Sequence, residues 1–137
     1  MIEDQKLETI GIGIVFNKNG ELLIDQRLEN TSMSGKWEFP GGKKEHNETI
    51  INTIEREIRE EIDIIVDVKE KLLTFEHVHG HLKLTFIVYI CEYLSGEPQP
   101  LASKRLLWIS PSQLSEFSFP PANIKIIDAL HNYLSIH

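Results

Sequence analysis

Glu38-Phe39-Pro40-Gly41-Gly42-Lys43-Lys44-Glu45-His46-Asn47-Glu48-Thr49-Ile50-Ile51-Asn52-Thr53-Ile54-Glu55-Arg56-Glu57-Ile58-Arg59-Glu60-Glu61-Ile62-Asp63-Ile64 is a glycine loop that runs directly into an amphipathic segment. Ile50, Ile54, Ile58 and Ile62 recur every four residues, which predicts a helix with one buried stripe. At about 100° per residue, Glu57, Glu60 and Glu61 fall in one neighbouring sector, with Glu48 two to three turns earlier. Like charges at such spacings repel by roughly 0.2–0.5 kcal/mol per pair even when solvated. A hard divalent cation would offset that repulsion, because Mg²⁺ takes oxygen ligands and shares its shell with substrate phosphates. Arg56 can pair with Glu60 one turn on and orient it. A solvated acidic face on an ordinary surface helix is the alternative reading of the same carboxylates.

The pattern as a whole decides between them. Gly42, five residues, Glu48, seven residues, and then Arg56-Glu57-Ile58-x-Glu60-Glu61-Ile62-x-Ile64 resembles the Nudix box, over residues 42–64, and matches it at every charged position. The family usually has glycine where this chain has Asp63. A residue just past a helix often turns left-handed, a conformation that Asp tolerates better than most side chains, so the departure leaves the carboxylate set untouched.

At 137 residues, 41% hydrophobic and 26% charged, the chain is expected to form one domain, residues 1–137, around a single core. Acidic residues outnumber basic ones 21 to 14 and the net charge is −7. With no basic run, a nucleic-acid polymer is not an expected partner. No stretch approaches a membrane span. The lone Cys91 can form no internal disulfide, and Met1 to Lys6 lacks the apolar core of a signal peptide, so a cytoplasmic location is expected.

Ile10 to Phe16 reads as a strand, Asn17-Lys-Asn-Gly20 as a turn, and Glu21 to Arg27 as the returning strand. Gly11 and Gly13 mark a close approach to the first strand, by a nucleobase or by the packed helix. Arg27 offers a planar fork that suits phosphate, though a surface arginine at a strand end is equally ordinary. Leu28 to Lys36 is a polar loop. Trp37 and Phe39 read as core aromatics. Asn47 is a candidate N-cap for the helix. Val66 to Val78 and Leu82 to Tyr93 predict two strands joined near Gly80. His77, His79 and His81 alternate there, but no Cys or acidic partner shares the pattern, and polar residues near a hairpin end are favoured over a zinc site. Leu106 to Ile109 is a short strand, and Ser110-Pro-Ser-Gln113 a helix start. In the final helix, begun by Pro121, the expected buried stripe is Ile127, Leu130 and Leu134. Asn123 falls in its first turn, where Asn commonly binds nearby backbone.

Trp37-Glu-Phe-Pro-Gly-Gly42 and Phe119-Pro-Pro-Ala-Asn123 are also similar to sequences of the MutT-like branch of the Nudix family. That resemblance, which runs from about residue 10 to 130, implies an α/β Nudix fold, a mixed β-sheet sandwiched between α-helices. It implies that Glu57, Glu60, Glu61 and the Gly41 carbonyl hold Mg²⁺ (or Mn²⁺), with Arg56 and Glu48 supporting the geometry. It places Arg27 on a nucleotide phosphate, Glu38 and Phe39 along the base pocket, and Asn123 on the purine edge, where an amide offers adjacent donor and acceptor. Many Nudix enzymes carry a further Glu in the loop before the short strand. The matching residue here is Ala102, which leaves Glu57 or Glu60, or the metal alone, to activate water.

The implied reaction is hydrolysis of 8-oxo-dGTP or a related nucleoside triphosphate to the monophosphate and pyrophosphate, with a small-molecule nucleotide as substrate and a monomer or homodimer expected. A CTP-like pyrimidine nucleotide, ADP-ribose, a dinucleoside polyphosphate, and a sensor module without turnover are the alternatives.

Overall fold

The computed structural model describes residues 5–136. The Met1–Asp4 part of the signal-peptide reading therefore lies outside the described residues. Strand β1 (Lys6–Phe16) is central. It pairs in parallel with β6 (Leu82–Ser95) over its full length, from Lys6↔Leu82 to Phe16↔Glu92. On its other side it meets β2 (Leu22–Gln26) at Phe16↔Leu22 and β4 (Gly41–Lys43) at Ile10 to Ile12, both antiparallel. Strand β2 also pairs with β3 (Trp37–Glu38) and β7 (Arg105–Ile109), and β5 (Ile65–His79) lies antiparallel on β6. The sheet is mixed and seven-stranded.

Helix α1 (Ile50–Ile62) covers one face and α2 (Ile124–Ile136) the other. Ile54, Ile58 and Ile62 are buried against Val15, Leu23, Cys91 and Val66, each worth roughly 1.5–3 kcal/mol on burial. Alternate residues of β1 point the opposite way, so Ile12 and Ile14 join Ile24, Ile126 and Leu130 in the second core. This α/β/α sandwich is the architecture expected from the sequence.

The glycines of β1 face α1. A Cβ on Gly11 would stand 2.9 Å from Ile54, and one on Gly13 would stand 2.8 Å from Ile58. Close helix packing, not a nucleobase, explains both.

Several local expectations shift. The N-cap of α1 is Thr49, whose hydroxyl accepts from the Asn52 N–H at 3.1 Å, while Asn47 takes a left-handed turn two residues earlier. Strand β1 begins at Lys6, not Ile10, because parallel pairing with β6 supplies partners that no local pattern announces. Pro111–Glu116 is a 3₁₀ helix, in which the Gln113 side chain accepts from the Ser110 N–H at 2.9 Å. Pro121–Asn123 is a separate 3₁₀ turn before α2. Ile126 replaces Ile127 as the fully buried residue beside Leu130, while Ile127 and Leu134 are only partly buried. His77, His79 and His81 are exposed, and among the described residues no three His, Cys, Asp or Glu side chains are gathered in metal-ligating geometry. No described helix is long and apolar enough to cross a membrane.

Candidate active site

Two glycines let the loop before α1 lie against its neighbours. A Cβ on Gly41 would sit 2.1 Å from the Gly11 carbonyl oxygen, and one on Gly42 would sit 2.4 Å from the Glu57 carboxyl carbon. Gly42 is therefore the seat of Glu57, and any side chain there would push the carboxylate away.

Behind that seat, Arg56 ties the loop to the helix. Its Nε and Nη2 donate to the two oxygens of Glu48 at 2.6 and 2.9 Å, a bidentate pair, and Nη2 also donates to the Lys43 carbonyl at 3.0 Å. Nη1 reaches Glu57 at 2.9 Å and Glu60 at 3.3 Å. Glu48 also accepts from the Glu45 N–H and from the hydroxyl of Thr53, which is fully buried. Arg56 first, and then the Glu45 N–H, hold the Glu48 carboxyl down at about 2. Arg56 is thus a strut for the loop, and it orients Glu60 as the i, i+4 spacing predicts. Past the last turn, Asp63 is left-handed (φ 61°, ψ 40°) and its N–H donates to the Arg59 carbonyl at 3.0 Å. The Gln99 and Leu101 N–H groups take the Ile62 and Glu61 carbonyls at 2.8 and 3.0 Å, which seats the loop carrying Ala102 on the end of α1.

Glu61 is largely buried on the inner side of α1, and Gly41 N–H donates to its Oε1 at 3.3 Å. Burial first, then repulsion from Glu57, pushes its carboxyl up to about 8. Burial also raises Glu57 above the usual range, against the pull of Arg56. A carboxyl from the sheet joins this group. Asp25 of β2 is only 8% exposed, and burial, together with Glu38 and Glu61, pushes it up to about 9. Sequence reasoning missed Asp25, although a charged residue ending the apolar run Leu22-Leu23-Ile24, two positions before Arg27, was a visible signal.

The region is therefore rich in oxygen donors and short of positive charge, which is the chemistry of a hard divalent cation. The seat at Gly42 and the raised Glu57 and Glu61 fit such an ion. The box carboxylates are not yet gathered around one point: Glu60 lies outward on Arg56 with 59% of its side chain exposed, whereas Glu61 turns inward to Gly41.

A cavity of about 380 Å³ opens beside Glu61 and Gly41. Arg27 and Glu38 line it and form an ion pair of 2.9 Å, and Arg27 Nε also donates to the Ser32 carbonyl at 2.7 Å. Phe39, Phe86, Ile10 and Ile12 supply apolar wall. Phe39 stacks on Phe119 with centroids 5.2 Å apart, which fixes the segment that brings Asn123 to the cavity. Asn123 donates its N–H to the Pro120 carbonyl at 3.0 Å, and among the described residues its side-chain amide has no hydrogen-bond partner. Trp37 lies in the core instead, edge-on to Phe117. Arg27, Glu38, Phe39, Gly41, Glu61 and Asn123 thus share one cavity. Glu48, Arg56, Glu57 and Glu60 lie outside its walls, along the adjoining face of α1.

The NUDIX domain family model matches residues 11–129. An 8-oxo-dGTP diphosphatase of Haemophilus influenzae is 32% identical over 135 residues, covering 96% of this chain and 99% of its own length. An 8-oxo-dGTP diphosphatase of Escherichia coli is 36% identical over 124 residues, covering 88% and 94% respectively. Among solved structures, the E. coli ORF135 protein superposes with a TM-score of 0.84 at 24% identity, covering 97% of this chain and 94% of that one. With the glycine loop, its carboxylate helix and the enclosing sheet all in place, the chain belongs to the Nudix hydrolase family.

Proposed function

We propose that this Nudix hydrolase converts 8-oxo-dGTP, or a closely related purine nucleoside triphosphate, to the monophosphate and pyrophosphate. One observation carries the reading: a single cavity is lined both by apolar side chains with the Asn123 amide and by Arg27, Glu61 and Gly41. A purine nucleotide combines the same chemistries, an aromatic ring with polar edges and a charged tail.

In this reading the base lies between the apolar residues, and Asn123 pairs with its edge through adjacent donor and acceptor groups. Arg27 leaves Glu38 to take a phosphate, for which its planar fork is suited. Glu57, Glu60, Glu61 and the Gly41 carbonyl would hold Mg²⁺ or Mn²⁺. Such ions supply charge neutralisation of the polyphosphate and a lowered pKa for the attacking water. Water attacks the β-phosphorus, and the bond from that phosphorus to the α–β bridging oxygen breaks. The nucleoside monophosphate leaves with the bridging oxygen, and pyrophosphate keeps the oxygen of water. We assign the proton to Glu57, with Glu60 as the other candidate. Burial raises the Glu57 carboxyl above its usual range, the direction that makes a carboxylate a stronger base.

The test is pyrophosphate release from 8-oxo-dGTP, dGTP and CTP with Mg²⁺, with ADP-ribose followed by phosphatase-coupled release. Preference for 8-oxo-dGTP supports the reading. Preference for CTP or ADP-ribose keeps the hydrolytic chemistry and overturns the role given to Asn123.

A further inference from the structure

Between β2 and β3 the chain loops out over residues 28–36, and one residue there has an uncommon backbone conformation. Met33 is left-handed at φ 58°, a conformation that strains a residue with a long side chain. It is 51% exposed and belongs to neither core cluster. It is nevertheless held firmly. Arg27 Nε donates to the carbonyl of the preceding Ser32 at 2.7 Å, and the Lys36 N–H donates to the carbonyl of Met33 itself at 3.0 Å. Gln26 Nε2 fixes the Gly35 carbonyl at 3.1 Å. What this arrangement achieves is to place Met33 among the residues lining the cavity that also holds Phe39, Phe86 and Asn123. Strained residues held by their surroundings concentrate at ligand clamps. A thioether is polarisable and packs well on aromatic rings.

We propose that Met33 is a specificity-determining residue whose side chain packs against the ring of the bound base, favouring a bicyclic purine over a smaller pyrimidine. This rests on the nucleotide reading of the cavity. Polar groups such as Asn123 read the edge of the base, whereas Met33 reads its area. Arg27 holds the carbonyl of Ser32, the residue before Met33, so base and phosphate contacts share one support.

The sequence contains only two methionines, Met1 and Met33, which makes a direct test simple. The full chain labelled with ¹³C-methyl methionine gives two methyl signals, assigned with Met33→Leu. Titration with 8-oxo-dGMP, a product that is not hydrolysed further, is expected to move the Met33 methyl proton upfield by the ring current of the purine, while CMP moves it less. In turnover, Met33→Ala is expected to raise KM for the purine triphosphate about tenfold, more than it lowers kcat. Met33→Leu is expected to restore most of that loss. Met33→Gly separates contact from backbone geometry: it relieves the strain and raises Tm, yet raises KM as Ala does.

If 8-oxo-dGMP shifts the Asn123 side-chain amide and the Gly41 N–H but leaves the Met33 methyl in place, this inference is wrong and the nucleotide reading survives. If it shifts none of them, the nucleotide reading fails and takes this inference with it.

Discussion

Asp25 and Glu38 are direct cross-strand partners on β2 and β3, two carboxyl groups on one face of the sheet, with Glu61 of α1 close enough to raise the proton affinity of Asp25. Like charges so placed are destabilising unless a proton or a cation intervenes. The Gly41–Glu61 hydrogen bond and the Arg27–Glu38 ion pair are what the chain itself supplies against that repulsion.

A pH dependence follows. Asp25 and Glu61 lie at about 9 and about 8 in the folded chain, against roughly 4 in an unfolded one. Between those limits the folded state keeps protons that the unfolded state has released. Stability is therefore fully present below about pH 4 and declines as pH rises through 8 to 9. Melting of the metal-free protein in chelator from pH 5 to 9.5 should show a falling Tm, reversed by Mg²⁺ at pH 8. Asp25→Asn should flatten the profile and raise Tm at its alkaline end by several degrees. An Asn variant as pH-sensitive as the parent would refute the buried-carboxyl account.

Glu57→Gln and Glu60→Gln keep side-chain size and remove the charge. Each should lower pyrophosphate release by at least about 100-fold, with the circular dichroism spectrum preserved. A variant retaining a tenth of parental activity would remove that residue from the machinery.

Arg56→Lys preserves the charge but cannot reproduce the fork on Glu48 or the simultaneous contacts to Glu57, Glu60 and Lys43. The pair is partly exposed, so solvent screening moderates the loss. Urea unfolding should show destabilisation of about 1–3 kcal/mol, and a loss under about 0.5 kcal/mol would mean the strut is dispensable.

Asp63→Gly restores the residue usual for the family at a left-handed position with φ 61°. Glycine adopts that conformation without a side-chain clash, so stability should rise by about 0.5–1 kcal/mol. Turnover should stay at the parental level, since Asp63 touches neither the cavity nor the box carboxylates. Equilibrium unfolding alongside kcat/KM checks both halves.

What the sequence determined by itself was whatever depends on neighbours along the chain. The four-residue isoleucine spacing made α1, and the Asn17–Gly20 stretch made its turn, with Gly20 at φ 75°. The box spacing put Glu48 within reach of Arg56, and Asp63 took the left-handed cap. The tertiary structure decided whatever depends on residues far apart. Parallel pairing of β1 with β6 joins segments about 75 positions apart and set where β1 begins. The two glycines of β1 were legible as a close approach, but only the docked helix identified Ile54 and Ile58 as what approaches. Asp25 was passed over within the predicted Glu21 to Arg27 strand until β3 and α1 brought Glu38 and Glu61 beside it and removed it from water. Met33 was one residue of the polar loop from Leu28 to Lys36 until hydrogen bonds from Arg27 to Ser32 and from Lys36 to Met33 set it at the cavity. The physical reason is common to all of these. Helix periodicity and turn chemistry act over a few residues, whereas burial, charge proximity and cavity shape arise only when distant segments exclude water from one another.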